Sequence, residues 1–425
     1  RDRSDHYLHH NNEKLKYGMN IKLHKSSLTK SNSEIEITGS KSESNRLLLL
    51  QGLYPEIEID NISNSDDSKV MLKALHSISD IIDVHHAGTA MRFLTAYFSI
   101  QKGRTFILKG SSRMHERPIG ILVDALNQIG AKITYLEKSG FPPLKIEGSV
   151  INKNKVTLKA NVSSQYISAL LLIGAKLENG LELTLDGEIT SMPYVKMTLA
   201  FLNSLGIETT FNENTILVHH KSKISHQKIT IESDWSSASY FFSIVALSTI
   251  DSKITLKSYH KDSLQGDSIL VKIYEEFGVE TIFKKNRITL IKRNSSPLSI
   301  NLNLVNTPDI AQTITVTCFG LGVSCTLLGL HTLKIKETDR LVALKIEIEK
   351  LGGEIDISND TLHLKASKSI KKNIKLATYK DHRMAMAFAP LALKVPITIE
   401  DASVVSKSYP TFWDDLKTID FKISE

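Results

Sequence analysis

The sequence predicts an α/β protein of repeated helix-and-hairpin modules shared between two domains, and three observations predict it. The first is length: 425 residues exceed what one hydrophobic core ordinarily serves. The second is a glycine repeat. "LNQIGAKIT", "LNSLGIETT", "YEEFGVETI" and "IEKLGGEID" put their first glycines at Gly130, Gly206, Gly278 and Gly352, in steps of 76, 72 and 74 residues. The third is an interleaved series of small or polar residues ahead of apolar stretches: "KSESNR", "HHAGTAMR", "VSSQYIS", "DWSSASY", "TPDIAQT" and "DHRMAM". Marked at Ser42, Gly88, Ser164, Ser236, Asp309 and Asp381, this series advances by 46, 76, 72, 73 and 72 residues.

Each element has a local reason. The four glycines close amphipathic stretches, as glycine does at a helix C-terminus. Beyond them come paired alternating runs around polar turns: "AKITYL" with "PPLKIEG", "IETTF" with "TILVHH", "VETIF" with "RITLIK", and "GEIDI" with "TLHLKA". Alternation at period two reads as a β-hairpin. The polar series supplies the helix starts. The result is six αβ units, three per domain. The first unit is cut short, because "MLKALHSISDIID" lacks both the glycine and the hairpin.

Apolar residues make up 41% and charged residues 23%, an ordinary globular balance. The formal net charge of +7 admits nucleic acid, a membrane surface or small anions as partners. Cys318 and Cys325 fit neither a disulfide framework nor a zinc spacing, and read as buried thiols in a reducing cytoplasm. No apolar run reaches the length of a membrane span. The opening "RDRSDHYLHHNNEKLKYG" has no signal-peptide core, so Met19 is expected to open the folded protein, with residues 1–18 a tail, tag or fragment edge.

The helix starts carry the chemistry. A helix N-terminus offers unpaired N–H groups and a partial positive charge, which seat an anion. In "GSKSESNR", Ser40 and Glu43 have capping-box spacing, leaving Lys41 to face outward, while Ser42 and Arg46 share a helix face. "RMHERPIG" groups Arg113, Glu116 and Arg117; "KIKETDR" groups Lys336, Glu337, Asp339 and Arg340; "DHRMAMAF" groups Asp381, His382 and Arg383. Arginine forks suit carboxylate or phosphate, and carboxylates among cations point to proton transfer. No nucleoside-triphosphate loop is present, and "GLGVSC" at Gly320 is an incomplete dinucleotide fingerprint. The histidine pairs His85–His86 and His219–His220 lack further ligands at metal spacing.

"GSKSESNR", "AGTAMRFLTA", "RMHERPIGILVDAL", "SSQYISALLL", "SLQGD", "KIKETDR" and "YKDHRMAMAF", in this order, closely resemble the 5-enolpyruvylshikimate-3-phosphate synthase family from about Met19 to the C-terminus. The resemblance implies a two-domain inside-out α/β barrel, each domain of three βαβαββ units, with the active site in the interdomain cleft. Residues 41–231 would form one domain, and residues 19–40 with 232–425 the other. The implied reaction transfers enolpyruvyl from phosphoenolpyruvate to the 5-hydroxyl of shikimate 3-phosphate and releases phosphate, the penultimate step toward chorismate. No metal or organic cofactor, nucleic acid or membrane is implied; a cytoplasmic monomer is expected.

Residue by residue, the resemblance makes Ser42, Arg46, Ser163, Ser164, Gln165, Ser191, Tyr194, Asp309 and Lys336 ligands of shikimate 3-phosphate. It makes Gly88, Arg117, Gln165, Arg340, Arg383 and Lys407 ligands of phosphoenolpyruvate, with Lys41 touching both substrates. Asp309 would take the 5-hydroxyl proton, and Glu337 would protonate the enol methylene, assisted by Lys41 and His382. His86 and Phe93 depart from the family's usual Asn and Pro beside the phosphoenolpyruvate loop, leaving the response to glyphosate, the inhibitor of that pocket, unassigned. Thr332 replaces an asparagine that usually contacts shikimate phosphate. Two rival readings fit the residues less well. The sibling acting on UDP-N-acetylglucosamine needs a cysteine near "LKGSSRMHERP", where none occurs. A nucleic-acid binder would pair clustered basic residues with exposed aromatics, but aromatics are 7% and the motif cations alternate with acids.

Overall fold

The computed structural model describes residues 18–28 and 33–425. Residues 1–17, most of the expected tail, lie outside the described residues. The chain divides into two compact units, one formed by Thr38–Asp234 with Asp262–Gly266, the other by the residues up to Ile37 with Trp235–Lys261 and Asp267–Glu425.

Within the first of these units, strand Ile81–Asp83 and helix Gly88–Ser99 are followed by strand Thr105–Lys109 and helix Gly120–Gln128, then a hairpin of Lys132–Tyr135 and Leu144–Glu147. Ile81–Asp83 runs parallel to Thr105–Lys109, which pairs antiparallel with Leu144–Glu147. Lys132–Tyr135 closes the edge. The same βαβαββ order repeats from Lys155–Lys159 through helices Ser164–Gly174 and Met192–Ser204 to hairpin Thr209–Asn212 and Thr215–Val218. The third sheet stops at two strands, Gln227–Thr230 parallel to Ile57–Asp60. Helix Asp66–Leu75 follows Ile57–Asp60, but no hairpin does, which is the truncation read from the sequence.

The other unit holds three four-stranded sheets with the same neighbour order. In one, Ser299–Asn303 lies parallel to Ser324–Leu328, with Leu362–Leu364 and Ile355–Ile357 antiparallel beyond. A second takes its first strand, Ser33–Glu36, from far upstream and sets it parallel to Lys253–Lys257. In the third, Ile374–Leu376 and Ile397–Ile399 are completed by Ile21–Leu23, which also pairs with Ile423–Ser424.

Each unit buries its helices. Every residue of Gly88–Ser99, Trp235–Ala246 and His382–Phe388 is buried, polar ones such as Arg92, Ser243 and His382 included, so these helices are covered on all sides. Strands alternate instead: Lys155–Lys159 buries only Val156 and Leu158. The four repeat glycines follow helices with φ of +108° at Gly130, +85° at Gly206, +79° at Gly278 and +96° at Gly352. A side chain is strained in that region, so the period observed in the sequence is a period of left-handed turns. All six polar markers lie at helix starts, either in the first turn or, for Asp309, in the short 3-10 turn Pro308–Ile310 that leads into Ala311–Leu321. Cys318 and Cys325 are buried and free.

Candidate active site

The unit containing Thr38–Asp234 gathers one set of predicted residues. Helix Lys41–Leu53 is capped by Ser40, whose Oγ accepts from the Glu43 N–H at 3.2 Å. The expected capping box is only half made. Glu43 does not reach back, because the Ser40 N–H already donates to Glu232 O at 2.8 Å and the Glu43 carboxylate accepts from Gln265 Nε2 at 2.5 Å. Lys41 does not face solvent alone: its Nζ lies 3.2 Å from Asp67.

Arg46 is the fastener of this set. Its Nε donates to Thr198 Oγ1 at 2.8 Å, one Nη to Ser42 O at 2.9 Å and the other to Ser168 Oγ at 3.0 Å. The guanidinium carbon sits 5.3 Å from the Phe93 ring centre and 5.5 Å from that of Tyr194. One side chain therefore touches four helices, each within its first two turns. Burial lowers its pKa to about 10, which leaves it charged at neutral pH. Ser163 caps helix Ser164–Gly174 by accepting from the Gln165 N–H, and Gln165 Nε2 donates to Thr89 Oγ1 at 3.0 Å. Ser191, with φ of +54°, is the residue before helix Met192–Ser204.

Arg117 lies across the start of helix Gly88–Ser99. A Cβ on Gly88 would come within 2.6 Å of an Arg117 Nη, so glycine at this position is what lets the guanidinium approach the helix end. Arg113 and Glu116, grouped with Arg117 in the sequence, part from it. They form a 3.3 Å ion pair in which both side chains are exposed, while Arg117 is buried. His86 Nδ1 lies 3.0 Å from Ser111 Oγ.

The other unit gathers the carboxylates. Arg340, the first residue of helix Arg340–Lys350, donates from Nε to Asp381 at 2.8 Å, from one Nη to Asp309 at 3.2 Å and from the other to Glu337 at 2.7 Å. Lys407 Nζ donates to the second Glu337 oxygen at 2.6 Å. Lys336 and Arg383 stand 3.7 and 3.9 Å from Asp309. Asp339 caps its helix through the Val342 N–H, and Asp381 caps the next through the Arg383 N–H. His382 is fully buried, with Nε2 3.7 Å from Glu337 and Nδ1 hydrogen-bonded to Ser408 Oγ.

The electrostatics follow from this crowding. Burial alone would raise the Glu337 pKa, but Lys407 and Arg340 overcome it and hold the carboxyl well below its usual range. Burial lowers His382 to about 4, with Glu337 opposing, so the imidazole is neutral at pH 7. Glu337, Asp381 and His382 are, among the described residues, the only three potential metal ligands whose atoms lie within 4.8 Å of one another. Their carboxylates already face Arg340 and Lys407, and a divalent cation there would meet two positive charges. The arrangement sets cations suited to an anion beside carboxylates that can exchange protons. Thr332 Oγ1, in the 3-10 turn His331–Ile335, is buried without a hydrogen-bond partner.

Residues 77–416 match the model of the family described as EPSP synthase (3-phosphoshikimate 1-carboxyvinyltransferase). A relative from Bacteroides fragilis named 3-phosphoshikimate 1-carboxyvinyltransferase is 44% identical over 393 residues, covering 92% of this chain and 95% of that one. The chain belongs to the EPSP synthase family. A second family member of the same name, from Colwellia psychrerythraea, is 35% identical over 420 residues, covering 92% of this chain and 97% of its own. The EPSP synthase fold is matched by the structure of that enzyme from Acinetobacter baumannii, with a TM-score of 0.76 at 18% identity over 95% of this chain and 99% of that one. The enolpyruvyl transferase NikO from Streptomyces tendae matches with a TM-score of 0.72 at 12% identity, over 96% and 98% of the two chains. No helix among the described residues is long and apolar enough to cross a membrane.

Several residues that contact the candidate site residues have no mark in the sequence. Asp67 opposite Lys41, Ser168 and Thr198 around Arg46, Thr89 beneath Gln165, and Ser408 on His382 all lie outside the quoted motifs or were given no role within them. Only Ser408 carried a signal, standing next to Lys407.

Proposed function

We propose that this chain transfers the enolpyruvyl group of phosphoenolpyruvate to the 5-hydroxyl of shikimate 3-phosphate and releases phosphate. The observation that carries the reading is the meeting of Asp309, Glu337 and Asp381 on Arg340, with Lys336, Arg383 and Lys407 around them. Family membership supports it over the UDP-N-acetylglucosamine and nucleic-acid readings.

In this reading Lys336, with Ser42, Arg46, Ser163, Ser164, Ser191 and Tyr194, binds shikimate 3-phosphate. Arg340, Arg383 and Lys407, with Gly88, Arg117 and Gln165, bind phosphoenolpyruvate, and Lys41 serves both. Glu337 gives a proton to the methylene carbon, and the adjacent carbon becomes electrophilic. Asp309 takes the 5-hydroxyl proton as the new C–O bond forms there. Glu337, now a carboxylate, takes back one methyl proton as phosphate leaves, which restores the carbon–carbon double bond.

The resting state raises a question for this reading, since Glu337 is a carboxylate and an acid catalyst needs a proton. The substrate's own anionic groups supply the answer. When they take up Lys407 and Arg340, Glu337 loses the cations that depress its pKa and burial then favours its protonated form. The test is phosphate release with both substrates, run in parallel with UDP-N-acetylglucosamine as acceptor. Release only with shikimate 3-phosphate is expected; release with the nucleotide sugar overturns the proposal.

A further inference from the structure

We infer that Ser408 is a positioning residue whose hydroxyl donates to His382 Nδ1 and so keeps the Nε2–H of the imidazole turned toward Glu337. The inference rests on the proposed role of Glu337 as the proton donor to the enol carbon.

The geometry leaves one consistent set of donors. His382 is 1% exposed, and its two ring nitrogens face different partners: Nδ1 meets Ser408 Oγ, and Nε2 lies 3.7 Å from Glu337 Oε1. The Glu337 oxygen there also accepts from Lys407 at 2.6 Å. An ionised carboxylate only accepts, so the nitrogen facing it carries the hydrogen. The nitrogen on the other side is then a lone pair, and Ser408 must donate to it. Ser408 is itself fixed, buried, with its N–H donating to Val405 O at 3.2 Å.

The opposite tautomer would aim a ring lone pair at the Glu337 carboxylate, a repulsion undiluted by water at this burial. Protonating the ring is disfavoured by burial and by the neighbouring Arg383, against the pull of Glu337 and Asp381. Lys407 and Arg340 hold the carboxylate that faces the ring. The Glu337 carboxylate thus selects between the two neutral forms, and the Ser408 O–H, donating to the lone pair left on Nδ1, holds the selected one in place. When Glu337 has given its proton to carbon, the Nε2–H is the neutral donor that steadies the carboxylate left behind; the Ser408 O–H stays intact throughout.

The expected sign of a substitution follows. A hydrogen bond donated to Nδ1 stabilises the neutral ring, so its removal raises the His382 pKa from about 4. The experiment compares wild type, Ser408→Ala and Ser408→Thr by ¹⁵N spectra of the His382 imidazole across pH, and by the pH profile of kcat for phosphate release. Wild type and Ser408→Thr should show a protonated Nε2 and a bare Nδ1. Ser408→Ala should titrate higher by about one pH unit, with kcat down by roughly tenfold and its acid limb moved upward. A purely structural role would lower kcat at every pH without moving that limb. A wild-type Nδ1–H tautomer, or the same His382 titration in all three proteins, overturns the inference. The spectra need no substrate, so they read Ser408 even if wild type releases no phosphate, which would sink the proposed function instead.

Discussion

Glu43 keeps a proton that a surface glutamate would shed. Burial, then the nearby Glu232 and Asp234, raise its pKa from the usual 4.5 to about 8, against the opposing hydrogen bond from Gln265. The stability tied to that proton is present below pH 4.5 and drains away as the pH rises toward 8, because the unfolded chain ionises first. Glu43→Gln should therefore melt with wild type near pH 4.5 and above it at pH 7, by at most about 3 kcal/mol. Melting curves across that range check the sign, and a gain largest at low pH contradicts it. Asp309 and Glu337 belong to the same scale. Asp309→Ala and Glu337→Gln should each cut phosphate release by about 10²-fold or more, with far-ultraviolet circular dichroism unchanged; normal release by either variant removes its proton role.

At the level of elements, the site is a collection of helix beginnings, and the residues that make each beginning possible are as informative as the ligands. Gly88→Ala puts a methyl group where the Arg117 guanidinium lies, within 2.6 Å of its nitrogen. The arginine tip must move, and apparent phosphoenolpyruvate affinity should fall by about 1.5–3 kcal/mol, the scale of a lost charge-assisted contact. Initial-rate kinetics measure it, and an unchanged KM would detach Arg117 from that substrate. The helix starts and the left-handed glycines were legible in the sequence because each answers a local preference: a cap oxygen serves the first N–H groups of a helix, and glycine takes a positive φ without strain. The partners of Arg46 were not. Ser168 and Thr198 lie 122 and 152 residues away, and nothing local marks a serine or threonine that serves an arginine on another helix. Glu43 misled for the same reason: its spacing promised a capping box, but Glu232, 189 positions on, took the N–H that Glu43 would have bonded. The Arg113–Glu116–Arg117 cluster misled differently, since closeness in sequence let one arginine turn outward and the other inward.

On the scale of the whole molecule, the strand Ile21–Leu23 has a burden out of proportion to its three residues. It lies between Ile397–Ile399 and Ile423–Ser424, and Ile21 and Leu23 are both buried. Alternation over three residues is too short to announce a strand, and its partners are some 400 positions downstream, so the sequence offered no warning of it. Deleting residues 18–28 strips Ile397–Ile399 of its antiparallel neighbour and uncovers the apolar groups beneath. The truncated chain should lose a sharp melting transition and bind a hydrophobic dye at ambient temperature. A truncated protein that melts cooperatively within a few degrees of the full chain would show that this strand is dispensable.

That closure orders the making of the protein. A ribosome delivers Ile21–Leu23 long before either of its partners, Ile397–Ile399 and Ile423–Ser424. Thr38–Asp234 emerges as nearly a whole unit in between, wanting only the short Asp262–Gly266 segment. The body that contributes the earlier strand is thus completed after the other, and until Ile397–Ile399 emerges that strand must wait, unzipped, for a companion not yet translated.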